Sequence, residues 1–168
     1  MLNENLFVTG SSGFLGSYLV DALIEKSYNI KTFDLNKNNY HYKNISHTIG
    51  NILDYNHLVN AMRGSNYVFH FASLADIDAS YKYPDRYLET NILGTLNVLK
   101  ACVECGIKKI IFASSVYVTS EYGSFYRISK QTCEKLIEEF KRNYNLKYTV
   151  LRFGSLYGPR ANEFNSIN

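Results

Sequence analysis

The chain has 168 residues, 46% of them hydrophobic and 20% charged, with a net charge of +3. That size and balance fit one domain, residues 1–168, with a sizeable buried core. They leave no apolar segment long enough to span a bilayer, and the short basic pairs Lys108-Lys109 and Lys141-Arg142 read as solvated surface, not as a nucleic-acid track.

The opening residues M-L-N-E-N-L-F-V-T-G carry no basic region and no signal-type apolar stretch, so the expected location is the cytoplasm. In that setting the sequon Asn44-Ile45-Ser46 carries no weight. Leu6-Phe7-Val8 reads as a strand ending in Gly10. Residues 14–26 have helical periodicity through Leu15, Leu19, Ala22 and Leu23. Ile30 to Phe33 is the next strand, closed by Asp34. The polar segment 36–44 is a loop, followed by a weak strand at 46–52 and a short helix at 56–63.

Tyr67 to Ala72 reads as a buried strand. A long helix over 85–104 is marked by the stripe Leu88, Ile92, Leu96, Leu99 and Val103. Ile110 to Ala113 is a strand, 125–144 a helix turning Ile128, Leu136, Ile137 and Phe140 inward, and Tyr148 to Leu151 the last strand. Strand and helix alternate about six times, which calls for a parallel sheet with helices on both faces. Cys102 and Cys105 form a C-x-x-C inside a helical pattern with no second pair. The histidines at 41, 47, 57 and 70 show no ligand spacing, so no metal is expected.

Two clusters carry chemistry. In Thr9-Gly10-Ser11-Ser12-Gly13-Phe14-Leu15-Gly16 a strand meets a helix. Gly10 permits a tight turn, Gly13 lets a phosphate approach the backbone, and Gly16 lets the helix pack closely. The helix start offers N–H groups and a partial positive charge to a pyrophosphate. Asp34, at the end of the second strand, suits ribose hydroxyls and repels a 2′-phosphate, which favours NAD over NADP; a flavin is the alternative. The second cluster is Tyr126-Arg127-Ile128-Ser129-Lys130. Four residues on a helix put the phenol and the ammonium on one face, and a fixed cation draws a phenol's pKa down toward neutrality. By spacing alone this is either an acid/base pair or an ordinary surface pair.

The ordered set T9-G-S-S-G-F-L-G16, H70-F-A-S73, N91-I-L-G-T-L-N-V-L99, F112-A-S-S115, Y126-R-I-S-K130 and L151-R-F-G-S-L-Y-G-P-R160 resembles the extended short-chain dehydrogenase/reductases, within them the NAD-dependent epimerase/dehydratase group acting on nucleotide-sugars. The resemblance runs through nearly the whole chain. It implies a Rossmann-type doubly wound parallel α/β sheet of about six strands in the order 3-2-1-4-5-6, NAD as cofactor and a nucleotide-sugar as substrate. It implies Tyr126 as the acid/base at a sugar hydroxyl and Ser115 as hydrogen-bonding the same oxygen. Lys130 would bond the nicotinamide ribose and lower the Tyr126 pKa. Phe14 and Leu15 would give N–H groups to the pyrophosphate. Asn51 and Ile52 would border the adenine, Phe71, Ala72 and Ser73 would line the cofactor, and Phe153 would lie near the nicotinamide. Asn91 would anchor helix and cofactor or, alternatively, be a buried amide bonded to backbone; Ser115 has the parallel alternative of a strand-end serine. The implied chemistry is hydride transfer, with Tyr126 taking the hydroxyl proton.

The chain also departs from the group's pattern. Asn51 stands for the first acid of a G-D-I-x-D segment. Val116-Tyr117 replace the Asp-Glu pair with which dehydratase relatives expel water, so epimerisation is expected over 4,6-dehydration. Only ten residues separate Ser115 from Tyr126, and Ser155 replaces a common Asn. The chain stops at Asn168, where relatives continue into a smaller substrate lobe. The alternative function is therefore a non-catalytic NAD-binding module, or a part needing a partner or that lobe. Relatives commonly dimerise through the helices at 85–104 and 125–144, where Val98 could be interface or core.

Overall fold

The computed structural model describes residues 4–37 and 45–161. Six strands, β1 (Asn5–Thr9), β2 (Asn29–Asp34), β3 (Ser46–Ile49), β4 (Tyr67–His70), β5 (Lys109–Ser115) and β6 (Lys147–Phe153), form one sheet. Its order is β3-β2-β1-β4-β5-β6 and every pairing is parallel. The expected strand order stands. The expected loop at 36–44 falls mostly on residues 38–44, outside the described residues, as do His41 and Asn44.

Register places the sheet's carboxyl ends side by side. Thr9 pairs with both Phe33 and His70, and Ser115 pairs with Phe153. The edge where strand order reverses, between β1 and β4, is where parallel α/β sheets place ligands.

Helix α1 (Phe14–Glu25) covers one face, packing Val20 and Leu23 on Leu6, Val8 and Ile30. On the other face, α2 (Tyr55–Met62), α5 (Gly94–Glu104) and α6 (Ser124–Tyr144) enclose Phe7, Phe33, Val68, Ile110 and Phe112. Residues 6 and 8 thus bury on one side and residue 7 on the other, the period of a strand covered on both faces. Asp54 caps α2 by accepting the His57 N–H (3.1 Å). Asn145 ends α6 in the left-handed region, φ +54°.

The long helix expected over 85–104 is segmented. Two short helices, α3 (Ile77–Lys82) and α4 (Pro84–Tyr87), lead into a π-helical turn at Leu88–Leu93 and then α5. Asp76 caps α3 through the Ala79 N–H (2.9 Å). The buried face of α5 is Gly94, Thr95, Val98, Leu99, Ala101 and Cys102, while Val103 of the expected stripe is 37% exposed. The reason is specific packing. Ile52 fills the space a Cβ at Gly94 would need, and Thr95 turns its hydroxyl to His70 (3.0 Å). Val98 is wholly core. Ile128, expected to face inward, is 40% exposed; α6 instead buries Ser129, Lys130, Cys133, Glu134 and Ile137. Polar groups displace an apolar one because β5 offers them partners.

Candidate functional site

The glycine turn is built by exclusion of atoms. Gly10 has φ +68°, and its N–H donates to the Phe33 carbonyl (3.0 Å). A Cβ on Gly10 would collide with the Phe71–Ala72 backbone, and one on Gly16 with the Gly10 carbonyl. At Gly13 a Cβ would meet only the Gly10 carbonyl, at 3.3 Å. Gly16 therefore serves the turn itself more than the packing of helix on strand. No side chain caps α1 and no acid lies in its first turn, so the N–H groups of Phe14, Leu15 and Gly16 have no intrahelical acceptor.

Asp34 closes this cradle. Its carboxylate accepts from the Ser12 and Asn36 N–H groups (2.9 Å each). The buried Ser11 hydroxyl, in the same turn, has no hydrogen-bond partner among the described residues. An uncapped helix start, an open Gly13, an unsatisfied Ser11 hydroxyl and the Asp34 carboxylate that closes the turn fit the phosphates and ribose of a dinucleotide.

From β4 the chain leaves the ladder after His70, two residues before the end of the strand expected over Tyr67 to Ala72. Phe71 N–H donates to the Thr9 carbonyl (3.1 Å) and Ala72 N–H to the Thr9 hydroxyl (3.3 Å). That step carries Phe71 toward Phe153, ring edge to ring face at 6.3 Å. His70 lies between the Thr9 and Thr95 hydroxyls (2.7 and 3.0 Å). Burial, and then the Lys130 charge, push its pKa down to about 3, so it is neutral.

Asn91 spends its whole hydrogen-bonding capacity inside the protein. Its Oδ1 accepts from Leu74 N–H (2.8 Å) and Ser73 Oγ (3.1 Å). Its Nδ2 donates to the Leu74 carbonyl (3.0 Å) and Ser129 Oγ (2.9 Å). It ties the segment after β4 to α6, the buried-amide alternative. Ser73 is held in the same knot. Asn51 is exposed and closes a local turn by accepting from Leu53 N–H (2.9 Å). The Ile52 carbonyl accepts from Asn97 Nδ2 (3.1 Å).

The catalytic candidates meet where β5 ends. Ser115 accepts the Tyr117 N–H (3.3 Å), and its hydroxyl is close enough to the Tyr126 phenol to favour the ionised form. Lys130 Nζ donates to the Ala113 carbonyl (2.8 Å), 4.9 Å from the Phe112 ring centroid and 5.7 Å from that of Tyr126. Burial pulls the Lys130 pKa down to about 8, against opposing pulls from Cys133 and Glu134. The expectation that Lys130 lowers the Tyr126 pKa is corrected here. Burial raises the phenol, the Ser115 hydrogen bond pulls it back in part, and nearby Tyr117 adds to the rise. Desolvation outweighs a cation that lies under the ring and bonds a carbonyl.

Sequence reasoning missed Glu134 and its partners. Glu134 is the next residue of the Tyr126–Lys130 series, and its four-residue spacing was the available signal. Ser114 Oγ donates to it (2.5 Å), and Arg152 grips it through Nε (3.0 Å) and Nη2 (2.7 Å). The short loop after Ser115 is strapped to α6, with Arg127 Nη1 donating to the Ser120 carbonyl (2.9 Å) and Gln131 Nε2 to that of Val118 (2.8 Å). Among the described residues no group of His, Cys, Asp and Glu is arranged to hold a metal, and no helix is long and apolar enough to cross a membrane.

Comparison with known proteins bears on this geometry. The model of the NAD dependent epimerase/dehydratase family matches residues 6–167. The UDP-glucose 4-epimerase of Thermotoga maritima, solved with UDP-glucose, is 34% identical, with a TM-score of 0.85 over 93% of this chain and 57% of its own. The Thermus thermophilus UDP-glucose 4-epimerase, solved with NAD, is 28% identical, with a TM-score of 0.87 over 96% of this chain and 59% of its own. The UDP-N-acetyl-alpha-D-glucosaminuronate decarboxylase of Bacillus cytotoxicus is 29% identical over 96% of this chain and 57% of its own length. The chain thus spans a little over half the length of these relatives.

Proposed function

Because the chain belongs to the NAD-dependent epimerase/dehydratase family, we propose that it is the cofactor-binding and catalytic part of an enzyme that moves hydride on and off a nucleotide-sugar. The observation that carries this reading is the meeting of Ser115, Tyr126 and Lys130 at the carboxyl end of β5, on the edge that holds the glycine cradle.

NAD, when bound, supplies the hydride acceptor and donor. The cradle of Gly10, Gly13 and the N–H groups of Phe14 and Leu15 takes its phosphates, and Asp34 its adenosine ribose. Ser115 orients a substrate hydroxyl toward Tyr126. Tyr126 removes that hydroxyl's proton and later returns one. Its phenol is held above the ordinary range in this state, so proton removal relies on the Ser115 hydrogen bond and on Lys130 turning its charge toward the ring. Val116 and Tyr117 carry no carboxylate to expel water, which favours epimerisation over 4,6-dehydration.

Calorimetry of the chain with NAD, followed by UDP-glucose and UDP-N-acetylglucosamine under nicotinamide absorbance, tests the reading. Wild type is expected to bind NAD and to reduce it on sugar addition once joined to the remaining length of its relatives. Tyr126→Phe is expected to keep NAD affinity within about twofold and to lose reduction by about a thousandfold or more. A Tyr126→Phe variant that reduces the cofactor at the wild-type rate overturns the assignment. Binding with no reduction in any form makes the chain a non-catalytic NAD module.

The same reading places the protein in the cytoplasm and makes it a homodimer through its longer helices. Leu93, Val103 and Ile128 are the exposed apolar side chains that support the dimer. Light scattering that gives a monomer at micromolar concentration rejects it.

A further inference from the structure

Three consecutive residues of β5 meet three side chains of α6 spaced four apart. Ser115 acts on the Tyr126 phenol, the Ala113 carbonyl accepts from Lys130 (2.8 Å), and Ser114 donates to Glu134 (2.5 Å). Residues 126, 130 and 134 form one stripe of a helix. The first two have work in hydride transfer; the third has none. Glu134 is nonetheless 9% exposed, and burying a carboxylate is costly unless it is paired. Two strands supply the pairing. Besides Ser114 of β5, Arg152 of β6 holds both carboxylate oxygens in a fork (3.0 and 2.7 Å).

The groups around Lys130 show what that burial achieves. From α6 itself Lys130 meets the Tyr126 ring, the Cys133 thiol and Glu134. From β4 it meets His70, which is neutral. From β5 it meets the Phe112 ring and a carbonyl, and Arg152 of β6 stands behind Glu134. Tyr117, after β5, acts on Tyr126, and Tyr126 in turn acts on Tyr87 of α4. Among the described residues Glu134 is the one carboxylate that acts on Lys130. Cys133, between the two, donates to the Asn91 carbonyl (3.1 Å) and completes the anchoring of this turn.

We propose that Glu134 is a positioning residue: pinned by Ser114 and Arg152, it holds a negative charge at a fixed place one turn from Lys130 and so sustains the charge of the ammonium that the Ala113 carbonyl holds in place. This rests on the reading of Lys130 as part of the cofactor and proton machinery. Arg152 sets how much of the Glu134 charge Lys130 feels. Burial pushes the Glu134 carboxyl up, but its hydrogen bonds to Arg152 and Ser114 outweigh that and keep it ionised.

The test follows Lys130 directly. The chain is labelled with carbon-13 at lysine Cε, the Lys130 resonance is assigned from its loss in Lys130→Arg, and its titration is read by NMR. The wild-type midpoint is expected near 8. Glu134→Gln keeps a Ser114 acceptor but removes the negative charge, so the midpoint falls by about one pH unit. Arg152→Gln removes the neutralising guanidinium, while the Gln amide and Ser114 still donate to Glu134 and keep it ionised at the pH where Lys130 titrates, so the midpoint rises by a similar amount. Opposite movements support the proposal. No movement, or movement in one direction by both variants, overturns it, because merely loosening the helix shifts both the same way. If Glu134→Gln does not fold, Arg152→Gln decides alone, with a rise supporting the proposal and anything else rejecting it. Failure of the wild type to bind NAD rejects the functional reading above, whereas the midpoints judge Glu134 by themselves.

Discussion

In the glycine turn between β1 and α1 the working groups are backbone N–H groups, presented because Gly10 takes φ +68° and Gly16 puts no atom against the Gly10 carbonyl. In α6 the working groups are side chains, each held by a partner far off in sequence: Lys130 by Ala113, Ser129 by Asn91, Glu134 by Arg152. Both regions serve one edge of one sheet. They fail differently. A backbone site has no rotamer with which to absorb an added atom, so its sensitivity is to volume. A site of buried polar side chains is sensitive instead to charge, losing stability where a paired group is left without its partner and gaining it where a desolvated cation is taken away.

The sharpest way to break that comparison is one methyl group. Gly16→Ala sets a Cβ against the Gly10 carbonyl, backbone against backbone, with no flexible side chain to yield. The expected loss is roughly 4 kcal/mol of stability, at the severe end for overpacking, measured by urea denaturation. Gly13→Ala is the control. It has negative φ and meets only the Gly10 carbonyl at 3.3 Å. It should cost less than about 1 kcal/mol, while lowering NAD affinity in calorimetry by about tenfold through obstruction of the phosphate approach. Equal stability losses at the two glycines would mean that the turn is not held by exclusion.

The same contrast decides what could be read from the chain before its fold was known. Gly10, Gly13, Gly16 and Asp34 fall within 25 residues, and the physics of a strand–turn–helix is local, so their arrangement was legible. The β-α alternation made a parallel sheet covered on both faces legible as well, while its strand order came from the family resemblance. What escaped was set by distant partners. The stripe of α5 is displaced because Ile52 and His70 claim Gly94 and Thr95. Ile128 lies outward because Ser129 and Lys130 have partners inward. Glu134 makes sense only once β6 delivers Arg152. The Tyr126–Lys130 spacing correctly put the two groups on one face, yet it could not report that burial would outweigh the cation.

That burial gives the last prediction, and it turns on sign. Lys130 keeps its ordinary pKa of 10.5 when unfolded and about 8 when folded. Between those values the unfolded chain binds a proton that the folded chain does not, so stability rises with pH through that window. Below about 8 both states are protonated and the full cost of burying the ammonium is felt. A shift of this size corresponds to about 3 kcal/mol, an upper figure because the Ala113 carbonyl already offsets part of it. Lys130→Met should therefore flatten the rise in stability between about pH 8 and 10.5 and raise stability at neutral pH by about 1–3 kcal/mol, and under the proposed function it should also abolish hydride transfer. Denaturation of both proteins across that range measures all of it except the chemistry. A site that gains stability when its cation is removed, beside a turn that cannot accept one methyl, separates a region shaped for reactivity from one shaped for fit. If Lys130→Met is instead less stable at neutral pH, the ammonium supports the fold through Ala113, and the two regions follow one rule.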